Sequence, residues 1–346
     1  MTSLSSLSKV YYKQNVLMEP LYNQWYAWSH LIAPANAAMC ISNKHLKIME
    51  SFVGAPQFHV SACKQPEMMG GPFINLGPDR VPEIRELFEN TVREHADMIG
   101  LAESIQSAEM MLLNEADGFS LEGMYARLPR RLRGYVELVY DLNNQPSMRL
   151  IEGLLYKSKY YKESAQSIAL SLLDDDVRTF VLSTPRLADG RHLHIKTPFS
   201  SEQIDELFKM KSEPRPYGWV REALGVEESD DPLFSSFFTE ETSTSADPFR
   251  GDGVRIRYFG HACLLIESKG TSILTDPVIG YRVENGIQRY SYSDLPARID
   301  YVLITHNHQD HCMLESLLQL RHKVGQVVVP RSAGGSLVDI YLRLVL

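Results

Sequence analysis

The chain has 346 residues, of which 44% are hydrophobic and 23% charged, a composition typical of a globular protein long enough for two domains. Its net charge of −8 argues against a general binder of nucleic acid or of anionic membranes, because such binding needs clustered lysine and arginine. The four cysteines lack paired spacing and indicate reduced thiols in a cytoplasm, and we expect neither a secretory signal nor a membrane span.

The first half of the chain contains the predicted helices. Residues 17–52 are rich in aromatic residues and alanine, and they predict two helices broken near Pro34. Residues 82–115 give the clearest helix, because their apolar residues follow one stripe at helical spacing. Pro82 suits the first turn, and Asp117-Gly118 follows the predicted end.

From about residue 133 the pattern changes to short strands. GYVELVYDL and MRLIEGLLYKS, joined by the turn residues NNQPS, predict a hairpin. TFVLSTPRLADGRHLHIKTPF predicts a second hairpin, closed at Asp189-Gly190. SSEQIDELFKM then predicts a short helix, with Ser200 and Gln203 as a capping box.

An acidic stretch rich in serine and threonine, residues 225–252, predicts an exposed linker, and its phenylalanines 234, 237 and 238 are candidates for contact with a domain surface. The linker would separate an N-terminal α+β domain, residues 1–224, from a C-terminal segment, residues 253–346.

The C-terminal segment predicts alternating strands and a helix. VRIRYFGHACLLIESKGTSILTDPV predicts two strands joined around Lys269-Gly270, and IDYVLITH predicts a strand buried on both faces. MLESLLQLRHK predicts a helix, and GQVVVPRSA predicts the start of another strand.

A cluster of metal-type ligands follows the predicted buried strand. His306, His308, Asp310 and His311 form the pattern His-x-His-x-Asp-His. Imidazole and carboxylate groups are ligands of zinc, iron and manganese in proteins. His306 and His308 are two residues apart and would point the same way on an extended loop, so they can bind one ion. Asp310 and His311 come a turn later and can bind a second, and two ions that share a water can make a nucleophile or bind dioxygen.

The motif THNHQDH resembles the signature of the metallo-β-lactamase superfamily, and its upstream context agrees. YFGHACLLIE resembles the first core strands of that fold, and LTDPV resembles its buried-aspartate motif. The resemblance implies an αβ/βα sandwich, in which Asp276 braces the metal loop and His261 lies near the pocket. The predicted fold class is therefore an α+β domain followed by the first half of such a sandwich.

The long N-terminal region, with LRGYVELVYDLNNQPSMRLIEGLLY, gives a narrower resemblance. It is similar to the diiron β-hydroxylases of chloramphenicol and related nonribosomal peptide biosynthesis. That resemblance implies two metal ions, with iron favoured and zinc as the alternative. It also implies dioxygen, an electron donor, an aminoacyl thioester on a peptidyl carrier protein as substrate, and a homodimer formed through the amino-terminal domain.

The chain departs from that family after the metal loop. In the family a second half follows and supplies the remaining ligands, whereas here His322 is the sole later histidine, and Glu315 and Asp339 are the only later carboxylates. We therefore expect a truncated chain. We also expect residues 253–346 to aggregate in isolation, because half a sandwich leaves an apolar sheet face uncovered.

Three functions remain open from the sequence. The first is a non-haem diiron oxygenase, or its truncated form. The second is a zinc-dependent hydrolase, in which a metal-bound hydroxide attacks an ester, amide or phosphodiester. The third is a fragment without activity that serves only as a dimerisation or docking module.

Two further groups of residues are weaker candidates. His192 and His194 have the spacing of a metal pair, but solvated positions on a hairpin are the simpler interpretation. PRRLR, residues 129–133, is a small basic patch that could contact an acidic carrier protein, although a solvated surface is the default interpretation.

Overall fold

The computed structural model describes residues 5–175, 177–242, 246, 249–283, 286–332 and 335–346. The chain forms two compact units, each built from separate segments. The first unit holds the chain up to Trp28, Glu163–Arg178 and Arg186–Pro330. The second unit holds Ser29–Lys162, Thr179–Pro185 and the chain from Arg331 onwards. The domain division expected at residues 225–252 stays a prediction.

The strands are β1 (Lys9–Tyr12), β2 (Val16–Tyr22), β3 (Trp25–Tyr26), β4 (Val136–Tyr140), β5 (Pro146–Leu150), β6 (Gln166–Leu172), β7 (Leu193–Ile195), β8 (Arg215–Pro216), β9 (Phe238–Thr239), β10 (Val254–Gly260), β11 (Cys263–Ser268), β12 (Thr271–Thr275), β13 (Ile299–Leu303) and β14 (Val324–Val328). The helices are α1 (Ser29–Ile32), α2 (Pro34–Cys40), α3 (Leu46–Gly54), α4 (Pro56–Cys63), α5 (Val81–Glu94), α6 (Ala96–Glu115), α7 (Glu152–Leu155), α8 (Glu202–Lys209), α9 (Tyr217–Ala223), α10 (Asp231–Ser235), α11 (Leu314–Leu320) and α12 (Leu342–Val345). A π-helical turn, Ile41–His45, joins α2 to α3. None of the helices in the described ranges combines the length and hydropathy that a membrane span requires.

The second unit is mainly helical. The helix predicted over residues 82–115 is confirmed, although it is broken into α5 and α6 at His95, whose ring is buried. The predicted first hairpin is confirmed as β4 and β5, which pair antiparallel with Val136 opposite Leu150. The end of its predicted second strand is instead helix α7.

The first unit contains a four-stranded sheet in the order β3-β2-β6-β7. The helix predicted from residue 17 is wrong over its first part, because β2 and β3 occupy Val16–Tyr26. Every residue of β2 is buried, and a strand buried on both faces has no alternation to distinguish it from a buried helix. The predicted second hairpin is also wrong, because β7 pairs with β6. Asp189 does close a local turn and bridges to His192.

The stretch predicted as a linker contains secondary structure in its described part. Helix α10 lies there, and β9 pairs with β1. The three phenylalanines considered as surface contacts, 234, 237 and 238, are all buried.

A five-stranded sheet with the order β10-β11-β12-β13-β14 carries the predicted metal loop. Strands β10, β11 and β12 are antiparallel neighbours, whereas β12, β13 and β14 run parallel. The sequence predicted only two strands in the region of β10–β12. Leu265, Leu274 and Val302 are fully buried on one face. The expectation that β13 is buried on both faces is wrong, because Tyr301 is 40% exposed.

Candidate metal centre

The loop that carries the predicted ligands connects the end of β13 to the start of α11. Ile304, the first residue of this loop, donates its backbone N–H to the Val328 carbonyl of β14 at 2.9 Å. The loop therefore leaves the sheet at the carboxyl end of parallel strands. Ligands commonly bind at this edge in α/β sheets, because rigid strands hold the connecting loops there.

Asp276 braces the strand side of the loop. Its side chain is 2% exposed, and its backbone N–H donates to the Leu303 carbonyl at 2.8 Å. Oδ1 accepts the backbone N–H of Thr305 at 2.7 Å, and Oδ2 accepts the Thr305 hydroxyl at 2.7 Å. Oδ2 also lies 2.9 Å from Nδ1 of His311.

These contacts keep the Asp276 carboxylate ionised. Burial raises the pKa of Asp276, but hydrogen bonds from His311 and Thr305 outweigh it, so the pKa lies below its usual value. An ionised Oδ2 accepts a hydrogen bond from Nδ1–H of His311, so the proton stays on Nδ1 and the free lone pair is on Nε2. A carboxylate behind a ligand histidine commonly fixes the tautomer in this way.

The histidines of the loop lie together. The His306 ring centroid is 4.5 Å from that of His308 and 4.0 Å from that of His311. A tight turn produces this arrangement, because the backbone N–H groups of His311 and Cys312 both donate to the His308 carbonyl, at 3.1 and 2.8 Å.

His261 reaches the same cluster from the turn between β10 and β11. Its Nε2 lies 3.1 Å from Oδ2 of Asp310 and 3.2 Å from Nε2 of His311. The backbone makes this approach in the left-handed region, with φ of +121° at Gly260 and +48° at His261. One ligand atom from each of His261, Asp310 and His311 lies within 4.8 Å of the other two.

The structure thus brings all six predicted site residues into one neighbourhood. Three imidazoles and a carboxylate come from the loop, and a fourth imidazole comes from His261. Asp276 contacts His311 and Thr305 on the strand side of the loop. This donor set suits zinc, iron or manganese. Cys312, the residue after His311, is buried, and burial raises the pKa of its thiol to about 12, so the thiol is neutral near pH 7.

The other sequence candidates lie elsewhere. Nδ1 of His192 is 2.8 Å from Oδ1 of Asp189, which closes the turn before β7. Trp25 and Tyr26, from the aromatic-rich stretch of residues 17–52, are buried in the core.

A buried charge cluster, which the sequence patterns did not predict, is formed by Glu19, Arg178, Arg186 and Glu315, and Tyr26 contributes a hydroxyl to it. A signal was present, because Glu19 interrupts the apolar run VLMEPLY and Glu315 interrupts LESLLQL. A carboxylate inside an apolar run is seldom buried without a partner.

Comparison with known proteins covers nearly the whole chain. Residues 11–242 match the family model described as the diiron non-heme beta-hydroxylase N-terminal domain. The chain belongs to this family. Residues 255–338 match the beta-lactamase superfamily domain. The predicted fold class, an N-terminal α+β domain followed by a segment of metallo-β-lactamase fold, is confirmed.

The diiron beta-hydroxylase family includes a characterised relative. The chain is 34% identical over 334 residues to 4-amino-L-phenylalanyl-(CmlP-peptidyl-carrier-protein) 3-hydroxylase of Streptomyces venezuelae, a match that covers 94% of this chain and 63% of that enzyme. The crystal structure of CmlA, a diiron beta-hydroxylase from the same organism, matches with a TM-score of 0.86 and 34% identity over 97% of this chain and 63% of that one. A variant of CmlA matches with a TM-score of 0.85. The chain thus spans somewhat less than two thirds of the length of these relatives.

Proposed function

We propose that the chain is part of a non-haem diiron oxygenase that hydroxylates the β-carbon of an aminoacyl group held as a thioester on a peptidyl carrier protein. One observation carries the proposal: a chain whose residues 11–242 belong to the diiron beta-hydroxylase family also presents the loop of His306, His308, Asp310 and His311. The characterised relative, by its name, acts on an aminoacyl carrier protein.

The residues present fit metal ions of the kind that the family uses. His306 and His308 would hold one iron, and Asp310 and His311 would hold the second, with His261 facing Asp310 and His311. Bound there, the two ions would supply the redox chemistry that activates dioxygen. Imidazole and carboxylate together suit non-haem iron, whereas a soft thiolate site would not.

The protein's own groups prepare this site. Asp276 holds the proton of His311 on Nδ1, and Thr305 holds Asp276 in place through its N–H and hydroxyl. In the overall reaction one oxygen atom of dioxygen enters a carbon–hydrogen bond and the other leaves as water, with two electrons and two protons from an external donor. We expect a redox protein to be that donor.

Partners and location are part of the proposal. A carrier protein is expected from the family, and the exposed Arg130, Arg131 and Arg133 offer positive charge to an acidic partner. A homodimer is expected from the family as well. A cytoplasmic location is supported by the four cysteines, which are all free thiols.

The test is metal content and product formation in the same preparation. The chain would be produced with iron and zinc both available, beside a matched double variant, His306→Ala with His308→Ala. About two irons per chain, lost in the double variant, would support the diiron site. Gain of one oxygen atom by an aminoacyl carrier protein, followed by mass spectrometry with dioxygen and a reductant, would support the reaction. Zinc in place of iron would favour the hydrolase, and no metal in either protein would overturn the proposal for this chain.

A further inference from the structure

A buried cluster of four charges lies in the first unit. Nη1 of Arg178 donates to Oε1 of Glu19 at 3.2 Å and to Oε2 of Glu315 at 2.9 Å, and its Nη2 donates to Oε1 of Glu315 at 3.1 Å. Arg186 donates from Nε to Oε2 of Glu19 and from Nη2 to Oε1 of Glu19. The hydroxyl of Tyr26 donates to Oε2 of Glu315 at 2.9 Å. The cluster thus pairs two carboxylates with two guanidinium groups.

Within the cluster, Glu19 is an ion rather than a neutral acid. Both glutamate side chains are no more than 3% exposed. Burial raises the pKa of Glu19, but Arg186 and Arg178 outweigh it and hold the pKa below its usual value. Arg178 is thereby fixed between two anions, and a bidentate guanidinium–carboxylate contact sets orientation as well as distance.

Glu315 lies in the first turn of α11, immediately after the metal loop. The next residue, Ser316, accepts the backbone N–H of Ile279 on its hydroxyl at 3.1 Å. The first turn of α11 is therefore fixed by side-chain contacts at two successive residues. Between this point and Thr305, which Asp276 holds, the chain carries all four predicted ligands of the loop.

We propose that Glu315 is a positioning residue for the metal centre, because Arg178 and Tyr26 hold it and thereby fix the helix end of the ligand loop. The loop is then fixed at both ends, by Asp276 at the end of the strand and by Glu315 at the start of the helix. Ligands must be held within a fraction of an ångström of their productive geometry, which a loop anchored at one end does not achieve. The partners of Glu315 come from residues 26 and 178, so the N-terminal part of the family fold acts on the metal loop of the lactamase part.

An apolar contact at the same place would cover α11 without orienting it. Apolar packing has no preferred direction, whereas the fork of Arg178 meets both oxygens of Glu315. The charge cluster therefore does more than bury α11. It also fixes the rotation of α11 about its own axis.

The experiment uses the full chain and compares Glu315→Gln with Glu267→Gln. Glu267 is the matched control, because it is a carboxylate 6% exposed that binds two arginines, Arg255 and Arg257, near the far end of β11 from His261. The first readout is hydrogen–deuterium exchange of residues 305–313 relative to the rest of the first unit. The second is the affinity for Co²⁺, with the visible absorption bands of the ion as a report of its coordination.

We expect exchange in residues 305–313 to be about tenfold faster in Glu315→Gln, with no such local change in Glu267→Gln. We expect the affinity for Co²⁺ to fall about 10- to 100-fold with an altered absorption spectrum, as for other residues that orient ligands. Tyr26→Phe removes one hydrogen bond and no charge, so it should give a smaller effect in the same direction. It also keeps the test decisive if Glu315→Gln does not fold.

The proposal is overturned if the loop exchanges equally in both glutamine variants, or if it loosens while the affinity and spectrum of Co²⁺ stay unchanged. The second readout rests on the proposed function, and the first does not. If the unaltered chain binds no Co²⁺, the proposed metal site fails in this chain, and the exchange data alone decide whether Glu315 orders the loop.

Discussion

Asp276 shows how a single buried carboxylate determines the chemistry of a neighbouring histidine. It adopts φ of +34°, which asparagine also tolerates better than most residues. Asp276→Asn should therefore keep the backbone and the hydrogen bond from the Thr305 N–H. Its amide nitrogen would, however, donate to Nδ1 of His311 and move the histidine proton to Nε2, the nitrogen that faces Asp310.

We predict that Asp276→Asn lowers metal affinity about 10- to 100-fold, because His311 loses its ligand lone pair. The control is Asp300→Asn, since Asp300 accepts the N–H and hydroxyl of Ser272 at 2.9 and 3.0 Å near the opposite end of the sheet. Metal retained per chain after dialysis is the measurement. Equal retention by the two variants would contradict the role given to Asp276.

Lys211 is a second residue whose surroundings set its charge. Its ammonium is buried among four aromatic rings, with the Tyr12 and Tyr292 centroids at 5.2 and 5.3 Å and the Phe208 and Tyr281 centroids at 5.8 Å. Burial lowers its pKa from 10.5 to about 7, and the nearby charge of Lys323 acts in the same direction. Between these two pH values the unfolded chain carries the proton and the folded chain does not.

We therefore predict that the free energy of unfolding rises with pH between about 7 and 10.5 through this residue, by up to about 1.4 kcal/mol per pH unit. Lys211→Met should remove this slope and be more stable at pH 7, because no charge is then buried. Lys157→Met, at an exposed lysine, is the control. Denaturant unfolding at several pH values measures both, and an unchanged slope in Lys211→Met would refute the assignment.

At the scale of elements, the start of α8 depends on one hydroxyl. Ser201 is the N-cap, and its Oγ accepts the backbone N–H of Gln203 at 3.2 Å. The capping box predicted with Ser200 and Gln203 is therefore wrong, because the cap is Ser201 and Gln203 contributes its backbone N–H to it. We predict that Ser201→Ala lowers stability by about 1 kcal/mol, whereas Ser200→Ala changes it by less than half as much. Thermal unfolding of both variants decides this, and equal losses would be inconsistent with a single cap.

Local patterns predicted well those elements whose cause is local. The helix over 82–115, the hairpin of β4 and β5 and the strand before the metal loop follow from periodicity and turn residues within each segment. The ligand pattern of His306 to His311 is local too, so it was visible in the sequence.

Contacts between distant segments could not be predicted in this way. The sequence of β2 predicts a helix because the partners of this strand, β6 and helix α11, are far along the chain and bury both of its faces. The pairing of Glu19 and Glu315 through Arg178 is likewise invisible to any window of a few residues. The contact of His261 with Asp310 needed both the sheet register and the left-handed turn at Gly260.

On the scale of the whole molecule, the five-stranded sheet has one covered and one open face. On the open face a row of directly paired residues crosses four strands: Ile256, Ile266, Ile273 and Tyr301. On the edge strand β10, the alternate residues Val254, Ile256 and Tyr258 are 60 to 61% exposed. A continuous apolar face beside an edge strand favours self-association.

We predict that the 346-residue chain self-associates and binds a hydrophobic dye, and that Ile256→Lys weakens both without lowering its stability. Leu142→Lys is the control, because Leu142 is fully exposed but lies in a polar turn and not on the sheet. Sedimentation at several concentrations is the measurement. A monomer at all concentrations, or an equal effect of the two lysines, would contradict the prediction.

The distribution of the first unit along the chain also constrains its biosynthesis. Val16 pairs with Leu172. Arg178 joins Glu19 to Glu315, two residues that lie near opposite ends of the chain. At about 5–20 residues per second, the ribosome needs roughly 15–60 seconds to pass from the first strands to their last partners. For about the first half of that interval the apolar strand β2 lacks its partner strand, because β6 begins at Gln166. Translation speed and chaperone supply should therefore limit the yield of the first unit.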